Sequence, residues 1–92
     1  MTTAIHCLVR GQVQGVGYRA WCQGEAVTRG LSGWVRNRRS GDVEAVLAGP
    51  LDVVDEMLAA LWTGPAGASV SAVEGTPTDE RPRGDFDVRP TV

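Results

Sequence analysis

The stretch Gly11-Gln12-Val13-Gln14-Gly15-Val16-Gly17-Tyr18-Arg19 places three glycines within seven residues and sets an arginine directly behind them. Glycine at that density marks a loop that must bend sharply or admit a ligand close to its backbone. Such a backbone lets successive N–H groups converge on one anion, and the positive end of a following helix adds to the attraction. Arg19 can offer a planar fork to two phosphate oxygens. A plain glycine turn joining a strand to a helix, with Arg19 in water, is the competing reading. Two other phosphate-binding patterns fare worse. A P-loop requires lysine, and all nine basic residues of this chain are arginine. Gly15 to Ala20 does fit G-x-G-x-x-A, with Arg36, Arg38 and Arg39 about 20 residues on, where a dinucleotide's 2′-phosphate would sit. However, the strand carrying those arginines turns back through Ser40-Gly41, whereas a dinucleotide fold continues into a crossover helix.

The loop needs elements on both sides of it. Ala4 to Arg10 alternates as a strand, with Ile5, Cys7 and Val9 on one face and Ala4, His6, Leu8 and Arg10 on the other. Tyr18 to about Arg29 has helical spacing and meets a natural stop at Gly30. Residues 33–38 form a second strand, 39–42 a hairpin turn and 43–48 a third strand. Gly49-Pro50 opens a second helix, with proline at an early helical position and Leu51, Val54, Met57, Leu58, Leu61 and Trp62 as its apolar stripe. Gly64-Pro65 ends it. Ser69 to Val73 is a fourth strand, residues 76–84 a polar loop, and Phe86 to Arg89 a short final strand. This order, βαββαβ plus a terminal strand, predicts a single α+β domain over residues 1–92. Two helices on one face of a mainly antiparallel sheet make it a ferredoxin-like α/β sandwich. Trp34 is expected as a structural aromatic near the sheet and Trp62 as a core residue.

Composition narrows the function classes. The formal net charge of −2 conceals an asymmetry: residues 1–41 carry six arginines and one acid, residues 42–92 three arginines and ten acids. The positive half contains the glycine loop, which suits a small anion. Nucleic acid is disfavoured, because the basic residues are few and not interleaved with aromatics. No run of 18 apolar residues and no basic, apolar leader is present, so neither a membrane partner nor secretion is expected, and the cytoplasm is the default. Cys7 and Cys22 read as buried small hydrophobes rather than a disulfide. Cys22 follows the arginine, whereas a phosphocysteine enzyme places its thiol at the start of the anion loop. His6 reads as a surface residue of the strand face away from the helices. The acids are scattered, and no metal site or cofactor is expected.

Gly-x-Val-Gln-Gly-Val-Gly-Tyr-Arg at 11–19, Gly-Trp-Val-Arg-Asn at 33–37 and Gly-x-Val-Glu at 41–44 together resemble the acylphosphatase family. The separation of 18 residues from Arg19 to Asn37 matches that family's pattern, and Phe86-x-Val88 extends the resemblance over essentially the whole chain. One departure is Ser40, where many members have aspartate before the turn glycine. The resemblance implies hydrolysis of the carboxyl–phosphate bond of small-molecule acyl phosphates, releasing a carboxylate and inorganic phosphate. It implies that Arg19 binds the phosphoryl oxygens, that Gln14, Gly15, Val16, Gly17 and Tyr18 line the cradle, and that Asn37 orients the attacking water. A non-catalytic anion-binding module would need the arginine but not the amide. A piece of a larger carbamoyl-transfer enzyme would bring zinc-finger cysteines or a further domain. A stand-alone monomeric enzyme is therefore the expectation.

Overall fold

In the computed structural model, which describes residues 1–92, the chain runs β1 (Thr2–Gln12), α1 (Tyr18–Thr28), β2 (Ser32–Asn37), β3 (Val43–Pro50), α2 (Leu51–Thr63), β4 (Ser69–Pro77) and β5 (Phe86–Val88). The strands form one sheet in the order β4-β1-β3-β2-β5. All neighbours are antiparallel except β2 and β5. Cys7 and Val9 of β1, Val35 of β2 and Ala45 and Leu47 of β3 share one buried cluster with Cys22 and Ala26 of α1 and Val54, Met57 and Leu61 of α2. Both helices therefore cover the same sheet face, as the ferredoxin-like α+β fold requires. No helix is long and apolar enough to cross a membrane.

Local chemistry accounts for the element ends. Helix α1 closes in a Schellman motif: the Gly30 N–H donates to the Val27 carbonyl and the Leu31 N–H to that of Ala26, each at 3.0 Å. Strand β1 extends beyond the expected Ala4–Arg10 because it is paired on both edges, to β3 from Thr2 and to β4 as far as Gln12. Strand β4 reaches Pro77 rather than ending at Val73, so Thr76 and Pro77 belong to the sheet and not to the polar loop. Proline is tolerated there because β4 is an edge strand with no partner on its outer side.

Two expectations about α2 are corrected. Pro50 is not inside the helix. It ends β3 and caps α2 with ψ 140°, so Leu51 is the first helical residue. Trp62 is not in the core: it is 51% exposed, and Leu51 is 43% exposed. The stripe that meets the sheet is Val54, Met57 and Leu61, each fully buried and each worth about 1.5–3 kcal/mol of burial. Trp62 lies one residue, or about 100°, further round the helix and misses that face. Trp34 is buried near the sheet as expected. Its indole N–H donates to Glu80 at 2.6 Å, and the guanidinium groups of Arg36 and Arg89 each lie 4.6 Å from its ring centroid.

Candidate active site

The first helix begins without a cap of its own. Gly17 occupies the N-cap position, offers no side-chain bond, and no acid lies in the first turn. The first helical bond runs from the Trp21 N–H to the Gly17 carbonyl, leaving the N–H groups of Tyr18, Arg19 and Ala20 without a carbonyl in the helix. Helix α2, by contrast, has Asp52 in its first turn. Gly15 and Gly17 stand at φ 75° and 78° with no positive φ at Val16 between them. That alternation turns successive amides towards one point. An added Cβ at either glycine would meet no atom within 4 Å, so their requirement is conformational rather than steric. The result is a set of donors with positive dipole and no internal anion to satisfy them.

A cleft of about 320 Å³ opens in front of these donors. Gln14, Gly15, Gly17, Tyr18, Arg19 and Asn37 line it, so six of the seven residues expected at the site come together there. Val16 does not line it; its side chain lies 3.8 Å from the point a Cβ on Gly67 would occupy, and it packs against the core. Arg10, Arg29, Arg36 and Arg38 pair with carboxylates, but Arg19, which is half-buried, makes neither an ion pair nor a side-chain hydrogen bond. Asn37, at the end of β2, has a buried Oδ1 with no hydrogen-bond partner. An orphaned acceptor and an unpaired cation thus meet in one cleft beside uncapped amides.

The side chains of Gln14 and Tyr18 are occupied elsewhere. The Gln14 amide donates both to the Arg38 carbonyl at 2.7 Å and to the Asp42 carbonyl at 3.0 Å, tying the loop to the β2–β3 hairpin. Tyr18 turns into the core, where its hydroxyl donates to the Leu61 carbonyl at 2.7 Å and burial pushes its phenol above the ordinary range. What these two residues can present to an anion is backbone. Ser40 accepts a 3.4 Å contact from the Asp42 N–H, so its role lies within the hairpin turn.

Val13, Ala20, Gln23 and Val88 also line the cleft and were not anticipated. Gln23 had a signal, since it lies four residues after Arg19 on the same helix face. Val88 had none: it arrives because β5 lies parallel to β2, with Val35 opposite Val88. Cys7 and Cys22 are fully buried, and burial pushes both thiols up to about 12, which suits core residues and not nucleophiles. No group of three or more His, Cys, Asp or Glu side chains converges anywhere in the fold.

His6 lies on the sheet face away from the helices, but it is engaged there with Glu44 at 2.6 Å. The same carboxylate accepts from Arg36 at 2.7 Å and Arg38 at 3.1 Å. Burial alone would push the Glu44 carboxyl up; the bonds from His6, Arg36 and Arg38 outweigh it and hold it at about 2, against an ordinary 4.5. A folded pKa below the unfolded one gives stability that is complete above pH 4.5 and is lost as pH falls towards 2. The thermal midpoint is expected to hold down to about pH 5 and then fall, with roughly 2–3 kcal/mol lost through this group. In Glu44→Gln this part of the acid limb should vanish. An unchanged limb would remove Glu44 as its source.

A sequence model of the acylphosphatase family matches residues 5–88. The chain is 54% identical to an acylphosphatase of Azorhizobium caulinodans over the full length of both. An acylphosphatase structure from Coxiella burnetii superposes with a TM-score of 0.92 at 40% identity, covering 96% of this chain and 93% of that one. One from Bacillus subtilis gives 0.90 at 32% identity, covering 97% and 99%.

Proposed function

This chain belongs to the acylphosphatase family and hydrolyses acyl phosphates, and we propose that Arg19 and the amides of residues 14–20 hold the phosphoryl group while Asn37 holds the attacking water. The observation that carries this reading is that the unpaired Arg19 and Asn37, with its orphaned Oδ1, line one cleft at an uncapped helix start.

The chemistry asks little else of the protein. Phosphoryl transfer needs positioning and stabilisation of charge on the equatorial oxygens. The Arg19 fork and fixed N–H dipoles supply both without solvent reorganisation. The Asn37 Oδ1 can accept one hydrogen of a water and turn its lone pair towards phosphorus. An amide takes no proton at neutral pH, so the water proton passes to an oxygen of the phosphoryl group itself. The P–O bond to the acyl group breaks as the water oxygen bonds to phosphorus. The products are a carboxylate and dihydrogen phosphate. A carboxylate leaves without a general acid, and in this reading no metal takes part. The enzyme acts as a cytoplasmic monomer.

The test is turnover of benzoyl phosphate in EDTA, followed by ultraviolet absorbance, with inorganic phosphate as inhibitor. Undiminished turnover in EDTA and competitive inhibition by phosphate are expected. Loss of activity in EDTA, restored by a divalent cation, would overturn the metal-free reading.

A further inference from the structure

We propose that Glu44, on the sheet face opposite the helices, is a positioning residue for hydrolysis, acting through Arg38 to hold the hairpin that carries Asn37. Resting on the assignment of the water to Asn37, the inference begins with how Arg38 is held. Its guanidinium bonds to Glu44 at 3.1 Å, its N–H donates to the Asp42 carbonyl at 2.8 Å, and its own carbonyl accepts from Gln14 at 2.7 Å. Arg38 directly follows Asn37, and Gln14 directly precedes Gly15 of the loop. The two halves of the site therefore meet at Arg38 and, through the second Gln14 bond, at Asp42, and Glu44 is the only side chain that grips the Arg38 guanidinium.

Glu44 is suited to be the fixed end. Its side chain is 9% exposed, it stands opposite Arg36 in the β2–β3 register, and three donors from two strands and the hairpin converge on it. The Arg38 side chain, at 41% exposure, has no other anchor. A water-holding amide tolerates little displacement, since misplacement by about 1 Å can cost on the order of 10²-fold in rate.

Arg36 and Arg38 separate positioning from simple stabilisation, because both bond the same carboxylate oxygen but only Arg38 belongs to the hairpin beyond Asn37. The experiment measures kcat, KM and inhibition by inorganic phosphate, with thermal midpoints, for Arg38→Met, Arg38→Lys, Arg36→Met and Glu44→Gln. Arg38→Met is expected to lower kcat about tenfold with KM and phosphate inhibition within about twofold. Arg38→Lys should recover most of that loss, Glu44→Gln should share it, and Arg36→Met should keep kcat within about twofold. Equal kcat losses in Arg36→Met and Arg38→Met, or none in Arg38→Met, would overturn the inference, whether or not Glu44→Gln folds. Asn37→Ala in the same assay keeps the two readings apart. Full turnover there overturns the water assignment, whereas an inactive Asn37→Ala beside a normal Arg38→Met overturns only the role of Glu44.

Discussion

Replacing Arg19 by alanine is expected to lower kcat/KM for benzoyl phosphate by roughly 10³–10⁴-fold, the range that a cation stabilising transferring phosphoryl charge supplies. Binding of inorganic phosphate should be lost with it, because the residual backbone donors carry only partial charge. The folded state should hardly notice. Arg19 makes no ion pair or side-chain hydrogen bond, so its removal leaves no group unpaired, and stability should stay within about 0.5 kcal/mol. Arg19→Lys should fall between the two, since an ammonium is a point charge without the two-pronged fork. Calorimetric titration with phosphate, run beside the turnover assay, separates binding from chemistry. Wild-type phosphate affinity in Arg19→Ala would remove Arg19 from the cradle.

Asn37→Ala should have a different signature: kcat lower by about 10²–10³-fold, as for loss of one aimed amide in an active site, with phosphate affinity within a few-fold of wild type. Its effect on stability has an unusual sign. Most buried polar residues lose a hydrogen bond when truncated, but Asn37 Oδ1 is buried and has no partner to lose. Removing it relieves an unsatisfied acceptor, so the variant should be as stable as wild type or more stable by up to about 1 kcal/mol. The backbone pairing of Asn37 with Val43 and its carbonyl bond from the Val92 N–H survive the change. Asn37→Asp keeps the shape but sets a second negative charge beside the phosphoryl site, so both kcat and phosphate affinity should fall. Near-normal turnover in Asn37→Ala would exclude the water-holding role.

Much of this protein was legible without coordinates, because the legible features are local. Three glycines before an arginine specify backbone conformations and a helix start that few other residues permit, and the structure places Gly15 and Gly17 at positive φ as that pattern demands. Alternation in β1, the Ser40-Gly41 hairpin and the Gly30 stop are likewise properties of neighbours in sequence. The spacing of Arg19 and Asn37, read with the family resemblance, identified the two side chains that meet in the cleft.

Only tertiary structure decided what long-range partners those local elements find. Periodicity says which face of an element is apolar, not which element covers it or how far the cover extends. Trp62 therefore read as core, although the face of α2 that meets the sheet is the one carrying Val54, Met57 and Leu61. Gln14 and Tyr18 were expected to line the cradle, and carbonyls 24 to 43 residues away claim their side chains and leave only their backbone for a ligand. Val88 enters the cleft because β5 pairs in parallel with β2, and Glu44 gathers His6, Arg36 and Arg38 because β3 lies between β1 and β2. The sequence by itself determined the glycine loop and the strands and helices around it. The order of strands in the sheet decided which donors remain free for a substrate, because every polar group the fold satisfies internally is withdrawn from the site.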